Sequence, residues 1–187
     1  MTLKSAQDVL TYWYETLEPK DWWVGGPDID QAITAQFGTP VEAALRGELY
    51  PWRTSPQGRL AEVICLDQFT RNIFRGQAKA FAGDPLALIL AQEAILGGFD
   101  RGLSDDQKAF LYMPLMHSES LPIHQWADEV FRAANLEGNL KALREHTEVI
   151  AEFGRYPSRN KALGRASSAE ELAYLKNGKT WGQGSAA

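Results

Sequence analysis

Two donor-rich stretches carry the chemistry of this chain: Leu66-Asp67-Gln68-Phe69-Thr70-Arg71-Asn72-Ile73-Phe74-Arg75-Gly76 and Phe153-Gly154-Arg155-Tyr156-Pro157-Ser158-Arg159-Asn160. Each holds an Arg-Asn pair just after what reads as a buried helix, and Arg165 follows close behind the second. A guanidinium fork suits a carboxylate or a phosphate, and an Asn beside it adds a directional donor. Neither residue packs a core well, so the repetition points to an anion site gripped by Arg71, Asn72, Arg75, Arg155, Arg159, Asn160 and Arg165. From Arg155 to Arg165 the chain carries Arg155, Arg159, Lys161 and Arg165 and no acid, within a protein of net charge −5. His117 and His146 are the candidates for proton transfer, and Glu119 joins the ligand-binding set. The plain alternative pairs these arginines with Asp67, Glu62, Glu152 or Glu119, or with the last carbonyls of the helices they follow.

Other chemistries find less support. His117, Glu119 and His146 could meet at a metal, but no His-x-x-x-His or Glu-x-x-His pair stands on one helix, and no metal site is expected. Ser118 lacks the strand-to-helix elbow of a nucleophilic serine. Cys65 sits in the apolar run Ala61-Glu62-Val63-Ile64-Cys65-Leu66 and reads as a small core residue. Gly25-Gly26 and Gly97-Gly98 have neither P-loop nor dinucleotide spacing, so no cofactor is expected. Trp22-Trp23, in an expected loop before Gly25-Gly26-Pro27, can both be buried only if that loop folds over the domain, and one of them could wall a pocket.

The elements that must position these residues all read as helices. Ser5 with Asp8 makes a cap for Val9, Leu10, Trp13 and Leu17. A short helix is expected over 28–37, and Thr39-Pro40-Val41-Glu42 is expected to start another. Ser55-Pro56 opens the helix leading to Arg71. Asp84-Pro85 opens one whose Leu86, Leu88, Ile89, Leu90, Ile95 and Leu96 make it apolar all round, which predicts a central helix with Leu88, Ile89 and Ile95 deeply buried beside Val63, Ile64 and Leu143. Ser104 caps a helix that Pro114 is expected to interrupt or kink. Further helices are expected over 121–134 and 139–153, the latter stopped by Gly154, and a last one from Ser167-Ser168 to Asn177-Gly178. No segment alternates as a strand does. The fold class is therefore all-α, antiparallel helical hairpins in one domain over 1–178, with a frayed tail over 179–187. With 187 residues, 44% of them hydrophobic and 23% charged, the chain can bury a substantial core. Its negative charge argues against nucleic acid and anionic membranes as partners. The start lacks an apolar leader and no span is of membrane length, so a cytoplasmic location is expected.

Leu66-Asp67-Gln68-Phe69-x-Arg71-Asn72-x-x-Arg75-Gly76, Ala80-Phe81-Ala82-x-Asp84, Tyr112-Met113-Pro114-x-x-His117-Ser118-Glu119 and Phe153-Gly154-Arg155-Tyr156-Pro157-x-Arg159-Asn160-x-x-Leu163-Gly164-Arg165 together resemble the signature of the DUF924 family. The resemblance implies an all-helical, TPR-like fold and leaves the activity open, since the family's function is unknown. Ser158 stands where the family is expected to carry His more often. Two functions follow as expectations. One is a protein that binds or acts on a small anionic metabolite between helices. The other is a TPR-like module that takes a protein or peptide in a groove, with the Arg-Asn turns as corner pieces. The first requires Arg71 and Arg159 to share one polar concavity.

Overall fold

The computed structural model describes residues 4–178 and Trp181. Helix α1 (Ala6–Thr11) begins at a Ser5–Asp8 capping box and runs on as a π-helical turn, Tyr12–Thr16. A one-turn helix, α2 (Asp21–Val24), carries Trp22 and Trp23, where the sequence predicts a loop. Helix α3 (Pro27–Leu45) passes straight through Pro40 instead of restarting there. Its buried face, Ile33, Phe37, Val41 and Ala44, is continuous across the proline. Gln36, whose carbonyl loses its helical donor, lies exposed, where water can serve it.

Ser55 caps α4 (Pro56–Val63), which continues through a π-helical turn, Ile64–Phe69, into α5 (Thr70–Ile73). Arg71 and Asn72 thus belong to the final turn of this helix and do not follow it. Helix α6 (Asp84–Leu96) ends at left-handed Gly98 (φ 70°), and α7 (Asp105–His117) runs without interruption through buried Pro114. Then come α8 (Leu121–Ala133), α9 (Glu137–Phe153), α10 (Asn160–Leu163) and α11 (Ala169–Asn177), the last capped by Ser168 and Glu171. Short 3₁₀ turns, among them Ala78–Phe81 and Pro157–Arg159, join them. Among the described residues there is no strand, and no helix is long and apolar enough to cross a membrane. Of the tail expected over 179–187, only Trp181 is among the described residues.

Neighbours in sequence pack together: α6 on α7, α7 on α8, α8 on α9, with α1 laid along α4 and α3 across the π turn and α5. The centre of the core is α4 and its π turn, where Leu60, Val63, Ile64, Cys65, Leu66 and Phe69 are all fully buried, together with α7. Helix α6, expected to be central, is peripheral. It turns its small residues Ala87, Ala91 and Ala94 with Leu90 inward and leaves Leu86, Ile89 and Leu96 exposed, while Leu88 and Ile95 are half-buried. Composition alone misleads here because alanines allow close approach while the leucines point outward. Truncating Ile64 to Ala is therefore expected to cost about 2–5 kcal/mol, whereas Ile89→Ala should stay within about 0.5 kcal/mol of the parent. Urea unfolding of the two variants measures this, and similar losses at both sites would place α6 back in the core.

One close approach positions the site. A Cβ on Gly83 would fall 2.4 Å from the carbonyl oxygen of Leu66, so only glycine lets the chain press the start of α6 against the π turn. Asp84 is thereby set beside Asp67 and Arg71.

Candidate functional site

Four elements converge beneath that contact. Arg71, on α5, lays its fork on Asp84 (Nη1 to Oδ1 2.9 Å, Nη2 to Oδ2 3.0 Å) and donates to the Asp67 carbonyl at 2.6 Å. Arg159, closing the 3₁₀ turn before α10, donates to Asp84 Oδ2 at 3.1 Å and to the His117 carbonyl at 2.8 Å. Its guanidinium also lies over the rings of Phe81 and Tyr156. Asp84 thus clamps the two arginines, one from each Arg-Asn stretch, in one place.

Asp67 is fully buried. Its Oδ1 is 2.7 Å from Nδ1 of His117 and 3.2 Å from Nη1 of Arg71, and its Oδ2 accepts from Gln68 at 2.6 Å. Burial opposes its charge, but Arg71 and His117 prevail and hold the carboxyl down at about 2. An ionised carboxylate only accepts, so His117 donates through Nδ1–H and is left with a lone pair on Nε2. Burial, with help from Arg71 and Arg159, pushes the His117 imidazole below its ordinary value against the pull of Asp67. His146, on α9, has the same design with a weaker partner. Its Nδ1–H donates to the Ala142 carbonyl at 2.8 Å, and burial takes it down to about 3. Burial likewise lowers Arg159, which stays a cation.

Of these groups Arg71, His117 and His146 line a cavity of about 280 Å³ between α2, α5, α7 and α9, walled by Trp22, Trp23, Met113 and Met116 and by Trp181. A smaller pocket of about 50 Å³ adjoins it, shares Arg71, His117, His146 and Trp181, and reaches Arg159, Tyr156 and Ser158. Asn72 and Arg75 line the larger cavity while bonding Asp30 at the start of α3 (2.8 Å from Asn72, 2.7 and 2.9 Å from Arg75). Glu119 borders a separate hollow with Asp84 and Arg159.

The rest of the expected cluster lies elsewhere. Arg155 grips Glu171 (2.6 and 2.8 Å) and the Ala166 carbonyl, and Asn160 bonds Ser167 and Glu171. Arg165 forks onto Glu119 (2.7 and 2.9 Å), which also accepts from the Tyr156 amide. None of Arg155, Asn160 and Arg165 is among the residues lining these hollows; they tie α10 and α11 to the end of α7. Glu62 pairs with Arg53, not with the Arg-Asn stretches. Sequence reasoning missed Asp84, which reads as an ordinary first-turn acid, and Trp181. It also missed His124, whose Nε2 meets the Ser118 carbonyl at 2.9 Å and whose Nδ1 lies 3.0 Å from Thr147 Oγ1, bracing the turn after His117.

The charge states predict a pH dependence. His146 folds with its proton affinity lowered, so its contribution to stability is complete above about pH 6.5 and is lost as pH falls toward about 3. Asp67, also lowered, adds a second loss from about pH 4 down to about 2. Each group steepens the decline by at most about 1.4 kcal/mol per pH unit within its window. Urea midpoints between pH 7 and 4 should fall less in His146→Gln than in the parent, and parallel curves would show that His146 does not titrate on unfolding.

A helical chain with a carboxylate-backed imidazole on an aromatic-walled cavity is the class that fold and site define. Residues 9–179 match the model of a bacterial protein family of unknown function, DUF924, and the chain belongs to that family. It is also similar to a solved structure, a protein of unknown function, ATU0120, from Agrobacterium tumefaciens. The two are 36% identical with a TM-score of 0.87, over 92% of this chain and 97% of that one. No curated protein matches the chain.

Proposed function

We propose that this protein binds a small anionic metabolite in the cavity and takes a proton from it at His117 Nε2. The observation that carries the reading is the Asp67–His117 pair, with His117 and Arg71 lining both hollows and Arg159 the smaller one. Asp67 fixes the tautomer and steadies the imidazolium formed by proton transfer. Arg71 and Arg159 are already balanced by Asp67 and Asp84, so the site suits one negative charge better than several. What remains of their donor forks would meet charge developing on the ligand in a water-poor setting. The net charge of −5 supports neither nucleic acid nor an anionic membrane as a partner, and we assign the protein to the cytoplasm.

The alternative is a TPR-like module that holds a protein or peptide, and the exposed Leu86, Ile89 and Leu96 along α6 favour it. A thermal-shift screen of monocarboxylates and phosphate monoesters separates the two. At a hundredfold excess over its dissociation constant, a true ligand adds about 2.7 kcal/mol to the parent. Arg159→Lys keeps the charge but loses the fork, and should lose most of that gain. His117→Gln should retain binding but lose the pH dependence of affinity that a lowered imidazole contributes on the acid side of its ordinary value. A parent that responds to no anion, with Arg159→Lys strongly destabilised when unliganded, would move the assignment to the interaction module.

A further inference from the structure

Three indoles from the two ends of the chain line the same cavity, and each is backed on one side by another ring. Trp22 lies parallel to Trp13 (6.4 Å between centroids, 15°) and is pinned by its Nε1–H on the Trp13 carbonyl at 2.8 Å. Trp23 lies parallel to Phe110 (5.8 Å, 20°) yet is 62% exposed, an unusual position for so large an apolar surface. Trp181, beyond the last helix, stacks on His146 at 3.8 Å and 24°. Its backbone is held at φ 46°, a left-handed conformation that bulky residues avoid. Core packing explains Trp22 but not Trp23, which stays open to solvent, while Trp181, half-buried against the small cluster of Val149, Ile150 and Tyr156, also covers an imidazole that already bonds through Nδ1.

We infer that the ligand of this cavity carries a flat aromatic ring, and that Trp23 and Trp181 are the faces on which it stacks. The inference rests on the proposed anion reading only for the direction of the ligand, its charged group toward Arg71 and His117. The ring itself is required by the indoles. Met113 and Met116 suit the same occupant, since thioethers pack well against ring edges. The volume, about 280 Å³, lies at the foot of the ~300–1,000 Å³ range of drug-sized sites, which limits the occupant to one or two fused rings with a short acidic substituent. The chemical class is therefore a small aromatic or heteroaromatic carboxylate. Trp181 would be a specificity residue, acting by contact with the ring and taking no part in proton transfer.

Calorimetric titration of the full chain with three probes tests this: indole-3-carboxylate, cyclohexanecarboxylate, which has the charge without a π face, and indole, which has the ring without the charge. Indole-3-carboxylate should bind at least about tenfold tighter than the saturated acid, the scale of one or two stacking contacts. Trp181→Ala should erase most of that preference, weakening indole-3-carboxylate far more than the saturated acid, and Trp181→Phe should restore part of it. Trp23→Ala, at a position 62% exposed, provides an independent second variant. Equal affinity for the two acids would overturn the aromatic inference and leave the anion reading standing. Indole binding as tightly as its carboxylate would strike the anion reading and uphold this one. A ring preference that survives both Trp181→Ala and Trp23→Ala, or no binding by any of the three at millimolar concentration, would overturn it.

Discussion

Replacing Asp84 with Ala is expected to destabilise the protein by about 3–5 kcal/mol, as when one partner of a buried ion pair is removed. Arg71 and Arg159 are only 5% and 7% exposed, and both rest on this one carboxylate. Without it, two guanidinium groups face each other beside one remaining acid, Asp67. At about 2–4 °C per kcal/mol for a chain of this size, the melting temperature should fall by at least about 6 °C. Asp84→Asn keeps an acceptor and should lose less. Urea unfolding of the two variants gives the answer. A loss below about 1 kcal/mol in Asp84→Ala would mean that the arginines swing into the cavity and are hydrated there, and the clamp would then be no organiser of the site.

Arg53→Ala is expected to be comparably severe, although it lies away from the cavity. Glu62 is fully buried and accepts both prongs of the Arg53 fork, at 2.7 and 2.6 Å. Truncating Arg53 strands that carboxylate inside α4, at a cost of about 3–5 kcal/mol. The double change Arg53→Ala with Glu62→Gln should recover a substantial part, because an uncharged amide is far cheaper to bury. A double variant no more stable than Arg53→Ala would show that the loss comes from packing of the arginine stem and not from charge.

The contrast between these two acids shows what the sequence could carry. Helix starts were legible wherever a side chain near in sequence bonds the backbone: Ser5, Ser55, Ser104 and Ser168 all cap as their neighbours imply. Breaks drawn at proline were not: Pro40, expected to start a helix, and Pro114, expected to interrupt or kink one, are both held within longer helices by apolar faces contributed from elsewhere. The convergence of Arg71 with Arg159 was anticipated from the repeated Arg-Asn pair, but the repeat concealed unequal roles. Asn72 reaches Asp30 beside the cavity, whereas Asn160 is tied to Glu171 and Ser167. Asp84 and Trp181 act only across long sequence separations: Asp84 stands in a family motif and at a helix start, neither of which shows its role in the site, and nothing adjacent marks Trp181.

The π turn from Ile64 to Phe69 stands immediately before the working residues of α5. Successive residues of an α-helix are separated by about 100° around its axis, so one residue more or fewer swings everything downstream by that angle. The wider π winding absorbs one residue more than α-helix would, so relaxing this turn to ordinary α-helix with its length unchanged would rotate everything that follows. Arg71 and Asn72 would then be carried off the face they share with Asp84 and Asp30, with scarcely any change in composition or hydrophobicity. In this segment the chain is constrained in length more tightly than in residue type. Variation among working members of the family should therefore take the form of exchanged side chains between Ile64 and Phe69, with insertions and deletions confined to the turns outside.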